Sequence, residues 1–126
     1  MNTLRKSLGA LAIVYALSFY LGALLHTGFA IGPVTEPVVV PAVIVETVCG
    51  SALLAGAYGA LAGRSWAWTG LRLGPAIALG GVLLGIVAIT FGGGQSTPLN
   101  DWYHRIIATL LALSLGGALY ASRARR

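Results

Sequence analysis

Residues 41–62 read PAVIVETVCGSALLAGAYGALA, a run of apolar and small side chains that contains one carboxylate, Glu46. A helix of about 20 apolar residues crosses a bilayer core of about 30 Å, so this run predicts a transmembrane helix. An acidic residue near the centre of such a helix costs about 2.5–3.5 kcal/mol on insertion scales. Glu46 therefore needs a partner or a proton, and a functional role is the first hypothesis for it.

Three further runs of similar length and composition accompany this one. The chain of 126 residues is 57% hydrophobic and 9% charged, and its mean hydropathy is +0.86. Ordinary soluble domains contain about 25% charged residues. We predict an all-α polytopic membrane protein, with one four-helix transmembrane domain over residues 1–126. The predicted spans are 8–29, 38–62, 73–91 and 102–121.

The N-terminal run has a secretory signal peptide as its alternative, because Arg5 and Lys6 precede it. The run continues to Leu25, which is longer than the apolar core of about 7–15 residues in a signal peptide. No clear small-x-small cleavage motif follows it. We therefore predict a retained first helix.

The net charge of +5 would indicate a nucleic-acid partner in a soluble protein. Here the basic residues lie at the ends of the predicted spans, so we expect no nucleic-acid partner and interpret them as orientation signals. The first connection has no Lys or Arg, and the positive-inside rule then predicts cytoplasmic N and C termini. The basic residues on the predicted cytoplasmic side are Arg5, Lys6, Arg64, Arg72, Arg123, Arg125 and Arg126.

Cys49 is the single cysteine of the chain. It excludes an intrachain disulfide, a metal site of several cysteines and thiol–disulfide relay chemistry within one chain. We interpret it as a small buried apolar residue.

Glycine spacing predicts tight helix packing. Gly59 and Gly63 form a GxxxG pair, and Gly81 and Gly85 repeat it in the third span. Such small residues let helix backbones approach closely in lipid, and they also make a homodimer an open alternative. In the first span, residues spaced three and four apart lie on one helix face, which we expect to point into the bundle. They are Tyr15, Ser18, Phe19, Gly22 and His26.

Two connections carry helix-start signals. The second span has two possible starts, because proline is tolerated in the first turn of a helix. One is Thr35 or Glu36, followed by Pro37, and the other is Pro41. Before the fourth span, Thr97 can cap with Pro98 following it, or Asn100 can cap with Asp101 in the first turn.

The polar residues converge on one end of the predicted bundle. His26 ends the first span, Glu46 lies one to two turns into the second, and Asp101 and His104 open the fourth. Given the predicted orientation, all of them fall in the outer leaflet half. Asp101 can meet His104 or Arg105 on one helix face, and we expect a local Asp101–Arg105 pair. The catalytic candidates are Glu46, His104, His26 and Asp101, and the ligand-binding candidates are Tyr103, Asn100, Arg105 and Tyr15.

Several uses of this constellation stay open. It could bind the polar head group of a quinone or similar lipophilic molecule, or perform acid–base chemistry, such as isomerisation or hydrolysis, on a lipid-soluble substrate. A metal could be held by His26, Glu46 and His104, with Asp101 as an optional fourth ligand, although no local His-x-x-His or Glu-x-x-His motif is present. Glu46 could instead bond to His104, Arg105 or a backbone group and lock the second helix to the fourth. An oligomeric proton or metal transporter is a further alternative, but the inner half offers few polar groups: Ser51, Tyr58, Ser114 and Tyr120.

The run from Glu46 to Gly56, with glycine four residues after the glutamate and again six residues later, resembles the second-helix pattern of the DoxX-like family of small four-helix membrane proteins. Some members of that family look like membrane subunits of thiosulfate:quinone oxidoreductases, and others accompany redox-stress proteins. The resemblance implies a bacterial or archaeal multi-pass protein of the plasma membrane. It also implies quinone-linked activity, in which a quinone is the expected cofactor or ligand. Whether a partner subunit supplies redox groups stays open.

Overall fold

A computed structural model describes residues 2–124 and shows four helices, as predicted. Of the basic residues counted above, Arg125 and Arg126 lie outside the described residues. All four helices are long and apolar enough to cross a membrane, which fits a multi-pass membrane protein. The helices are α1 (Asn2–Leu25), α2 (Val40–Leu61), α3 (Ala67–Phe91) and α4 (Pro98–Arg123).

Helix α1 is displaced toward the N-terminus relative to its predicted span. It ends at Leu25, because the chain turns at Gly28, whose φ of 89° lies in the left-handed region. The amide of Gly28 donates to the Leu25 carbonyl at 3.0 Å and closes this turn. Helix α3 begins earlier than predicted, at Ala67, where its amide donates to the Arg64 carbonyl at 3.0 Å.

The starts of α2 and α4 decide between the predicted alternatives. Helix α2 has Val39 as its N-cap and Pro41 in its first turn, so the start at Thr35 or Glu36 is wrong. The connection before α2 instead forms a short turn, closed by an isolated bridge between Ile31 and Val34. Helix α4 confirms the Thr97 cap, whose hydroxyl accepts the Asn100 amide at 3.2 Å.

The helices pack in chain order, α1 against α2, α2 against α3 and α3 against α4, while α1 and α4 approach each other at fewer points. Their common core contains fully buried Phe19, Leu53 and Leu111. Tyr15, Phe19 and His26 are also buried, which confirms the predicted inward face of α1.

Glycines mark the closest helix contacts. A methyl group on Gly56 would lie 2.6 Å from the Gly70 carbonyl oxygen, so α2 and α3 meet there backbone to backbone. Gly85 differs from the predicted backbone approach, because its space is filled by the His104 ring and not by a neighbouring helix backbone. The prediction for Gly63 is wrong: with φ 66° it follows the end of α2 and terminates the helix.

Candidate functional site

A cavity of about 270 Å³ opens among the helices at the end of the bundle that carries His26 and His104. We call it the first cavity. Most of its lining is apolar or glycine, contributed mainly by α2 and α3. The polar side chains that line it are His26, Glu46, Gln95, Asn100 and His104.

Glu46 points into the bundle, toward α1. The residue is 5% exposed, and its Oε1 lies 3.9 Å from Nε2 of His26. Gly22 makes room for it, because a methyl group at that position would lie 2.7 Å from Oε1. The second oxygen, Oε2, is buried and has no hydrogen-bond partner. Glu46 therefore keeps hydrogen-bonding capacity that the described protein does not use.

The imidazole of His26 is oriented by the first connection. Its Nδ1 lies 3.0 Å from the Pro37 carbonyl oxygen, and the amide of Val39 donates to the His26 carbonyl at 3.1 Å. A carbonyl oxygen can only accept, so Nδ1 of His26 carries the hydrogen and donates it. Nε2 is therefore the ring nitrogen that faces Glu46 without a hydrogen-bond partner.

His104 is oriented in the same way from α4. Its Nδ1 donates to the carbonyl of Asn100, one turn earlier, at 2.8 Å. Its Nε2 faces Gly85 on α3, where an added methyl group would lie 2.8 Å away. Tyr103 packs against this ring edge-on, with 5.8 Å between the ring centroids. Both histidines thus present Nε2 as the free nitrogen.

The predicted convergence of Glu46 and the two histidines on one end of the bundle is confirmed, and His26 is the histidine that Glu46 contacts. Within residues 2–124, His26–Glu46 is the sole contact within 4.0 Å between a basic side-chain nitrogen and a carboxylate oxygen, so His104 lines the same cavity without contacting Glu46. The alternative in which Glu46 locks α2 to α4 is wrong, because neither of its oxygens bonds to His104, Arg105 or a backbone group.

Asp101 and Arg105 lie beside the first cavity and do not line it. They face a separate, smaller cavity of about 90 Å³, which His104 also lines. Asp101 accepts a hydrogen bond from the Ser96 hydroxyl at 2.6 Å. The Arg105 guanidinium lies 5.9 Å from the centroid of the Trp102 ring. The expected Asp101–Arg105 pair is wrong, because each residue has another local partner.

The remaining ligand-binding candidates divide between the cavity wall and the core. Asn100 lines the first cavity, is 7% exposed, and donates from Nδ2 to the Ser96 hydroxyl at 3.0 Å. Tyr103 lines a different cavity, described below. Tyr15 belongs to the hydrophobic core, where its hydroxyl pairs with that of Ser114 at 3.2 Å. The prediction that Tyr15 contacts a ligand therefore finds no support in its position.

Three features of the site escaped sequence reasoning. Gly22 and Gly85 create the space for Glu46 and His104. Spacing places Gly22 on the inward face of α1 and Gly85 in a GxxxG pair, but it does not indicate which side chain fills each space. Glu36, considered above only as a helix start, accepts a hydrogen bond from the Thr97 hydroxyl at 2.5 Å. This bond joins the first connection to the start of α4. The sequence indicates it only through the presence of one acidic residue in a connection rich in Gly and Pro.

The metal site considered for His26, Glu46 and His104, with or without Asp101, does not form among the described residues. In the part of the chain that the structure describes, no group of three His, Cys, Asp or Glu side chains is arranged to hold a metal ion. Asp101 is turned toward Ser96 and away from the His26–Glu46 pair.

Comparison of the chain with protein-family models, with curated proteins and with solved structures gives no match. The resemblance to the DoxX-like family therefore stays a prediction.

Proposed function

We propose that this protein binds a lipophilic small molecule from the membrane and holds its polar head group in the first cavity. The observation that carries this proposal is the buried Glu46–His26 pair, which faces an apolar cavity between transmembrane helices. Small-molecule sites are mostly apolar with a few oriented polar groups, and they commonly occupy about 300–1,000 Å³. A cavity of about 270 Å³ suits one ring-sized head group.

The hydrogen-bonding capacity of the cavity fits a head group that exchanges protons. Nε2 of His26 and Nε2 of His104 are not used by other residues of the described chain, and Oε2 of Glu46 has no partner. Each of these atoms can accept a hydrogen bond, and each can donate one when it carries a proton. A quinone carbonyl needs a donor, whereas the hydroxyl of the corresponding quinol can also use an acceptor.

The membrane placement is part of the proposal. The Lys and Arg distribution supports cytoplasmic termini in the plasma membrane, which would put the first cavity in the outer leaflet half. The resemblance to the DoxX-like family favours a quinone as the ligand. Because the chain has one cysteine, we propose an accessory role beside a partner subunit that carries the redox groups.

The test is equilibrium binding of a short-chain quinone to purified protein in lipid nanodiscs, before and after Glu46→Gln. The amide keeps the shape of the side chain but neither ionises nor releases a proton. Loss of a hydrogen bond involving a charged group costs about 1.5–3 kcal/mol, so we expect affinity to fall about tenfold to a hundredfold. Unchanged binding in Glu46→Gln would end this proposal.

Two matched controls accompany the test. Asp101→Asn removes a carboxylate at the same end of the bundle but outside the first cavity. Thr47→Val alters an exposed residue next to Glu46 in the sequence. The Thr47 hydroxyl bonds only to the Val43 carbonyl of the same helix. Quinone affinity should stay within about twofold of the wild type in both, since neither side chain lines the first cavity. Equal losses in all three variants would indicate a general structural effect and would count against the proposed site.

An acid–base enzyme is the second candidate function, supported by the 3.9 Å separation of His26 Nε2 and Glu46 Oε1. Such a pair could remove a proton from a lipid-soluble substrate and return it at another position. Turnover of a candidate substrate with a bell-shaped pH profile would favour this function over binding alone. An unaltered rate in Glu46→Gln would exclude it.

A further inference from the structure

A second cavity, of about 350 Å³, lies between α1, the first connection and α4. Its apolar lining comes from both helices and from the connection, and includes Leu21, Ile31, Val34 and Leu99. It occupies the side of the bundle where α1 and α4 make few contacts. Leu21 and Leu99 are 47% and 56% exposed, so this cavity borders the outer surface of the helices, where lipid chains lie in a membrane.

Glu36 is the one carboxylate that lines the second cavity. Its Oε1 accepts the Thr97 hydroxyl at 2.5 Å, whereas its Oε2 is buried and has no hydrogen-bond partner. Among residues 2–124 no Lys, Arg or His side-chain nitrogen lies within 4.0 Å of a Glu36 carboxylate oxygen, since the sole contact of that kind there joins His26 and Glu46. The cavity thus contains an acceptor with neither a donor nor a counter-ion.

The side-chain donors that face this cavity have protein acceptors, and among them Nδ2 of Asn100 donates one of its hydrogens to the Ser96 hydroxyl at 3.0 Å. The Ser18 hydroxyl donates to the Tyr15 carbonyl at 2.7 Å, so in the 3.0 Å pair with Tyr103 the tyrosine hydroxyl must be the donor. Nδ1 of His26 donates to the Pro37 carbonyl. The complementary ligand therefore brings its own hydrogen-bond donor and positive charge to Glu36.

We propose that the second cavity binds an alkylammonium amphiphile, with its ammonium group on Glu36 and its apolar chain between α1 and α4. A primary ammonium group supplies both the donor and the charge that Oε2 of Glu36 lacks. An apolar chain matches the leucine, isoleucine and valine lining. The amphiphile can be a free alkylamine or a membrane lipid with an ethanolamine head group, since both present the same chemistry. This proposal uses a different carboxylate and a different cavity from the proposed function.

The test for a free amine is equilibrium binding of decylamine to the protein in nonionic maltoside micelles. Decanol serves as the neutral comparison, because it has the same chain without the charge. We expect Glu36→Gln to weaken decylamine binding about tenfold to a hundredfold, the loss typical of a hydrogen bond to a charged group. Decanol binding should be the same in both proteins, and Asp101→Asn should leave decylamine binding unchanged.

The lipid source is tested by native mass spectrometry of protein purified from its membranes. Retention of ethanolamine lipid in preference to phosphatidylglycerol by the wild type, and its loss in Glu36→Gln, would support a lipid head group. Decylamine binding that depends on Glu36 would support a free amine. Equal decylamine affinity in wild type and Glu36→Gln, with equal lipid retention, would overturn the proposal.

A second variant keeps the test valid if Glu36→Gln disturbs the bond to Thr97. Leu99→Trp narrows the second cavity from an exposed position and leaves Glu36 in place. We expect it to lower decylamine affinity and to leave quinone affinity at the first cavity unchanged. Full decylamine affinity in Leu99→Trp would count against the chain lying between α1 and α4.

Discussion

The two ends of the bundle use glycine for different purposes. Near the start of α3, Gly56 and Gly70 bring two helix backbones together. At the opposite end, Gly22 and Gly85 leave space for the polar side chains of Glu46 and His104. The first arrangement joins helices, whereas the second admits groups that an apolar helix interface would exclude.

This difference separates stability from chemistry within one small bundle. Close backbone contact is a main source of helix association in lipid. A buried polar atom without a partner, such as Oε2 of Glu46, costs about 1–3 kcal/mol. We therefore expect changes at the Gly56 end to affect folding most, and changes at the Glu46 end to affect binding most.

Gly56→Val should give the greatest loss of stability. Its nearest obstacle is the Gly70 carbonyl oxygen, which belongs to the backbone and cannot rotate away. Overpacking of this kind costs about 1–3 kcal/mol, and more where nothing can move. Unfolding in mixed micelles would measure the change. Gly117→Val is the control, because nothing lies within 4 Å of that position, and its stability should match the wild type.

Gly85→Ala should affect binding more than folding. The added methyl group would lie 2.8 Å from Nε2 of His104, and a side chain can shift where a backbone cannot. We expect about 1 kcal/mol or less of lost stability, but about a tenfold loss of quinone affinity, equivalent to about 1.4 kcal/mol. Gly80→Ala, on the same helix with nothing within 4 Å, should change neither quantity. A stability loss in Gly85→Ala as large as that in Gly56→Val would erase the distinction between the two ends.

Thr97→Val should destabilise the protein by about 1 kcal/mol through loss of the α4 N-cap. The same change removes the hydroxyl that donates to Glu36, so the first connection should also exchange amide hydrogens faster. Thermal unfolding and hydrogen exchange would measure the two effects. Thr90→Val is the control, since the Thr90 hydroxyl bonds only within α3. Equal unfolding temperatures and equal hydrogen exchange in the two variants would refute the stabilising role of the Thr97 cap.

Tyr15→Phe should give the mildest change, a loss of about 0.5–1.5 kcal/mol from the hydrogen bond to Ser114. Ser114→Ala should cost a similar amount, and the double variant should cost little more than either single one. Quinone affinity should be unaffected, because Tyr15 lies in the core. A binding defect in Tyr15→Phe would restore it as a ligand-binding residue.

Hydropathy and end signals were sufficient to predict the helices. Four long apolar runs separated by Gly and Pro admit few other folds. For α4 the end signals left Thr97 and Asn100 open as the cap, and the structure selects Thr97. The burial of Glu46 next to His26 was also predictable, because each lies near the same end of a neighbouring antiparallel helix.

The finer pairing was not predictable from the sequence. Asp101 and Arg105 have the right spacing for a pair, but Ser96 and Trp102 offer partners that spacing rules do not weigh. Gly22 opposes Glu46 only because α1 and α2 have particular rotations about their axes. These rotations depend on the whole set of packing contacts, which one sequence does not specify.

An experimental density map of the protein purified from its own membranes would test the binding site at the Glu46–His26 pair. We expect non-protein density in the first cavity, within hydrogen-bonding distance of Oε2 of Glu46 or of Nε2 of one of the two histidines. A map in which Oε2 bonds to another protein group, and in which the cavity is closed or holds only an acyl chain, would show that no head-group site exists there.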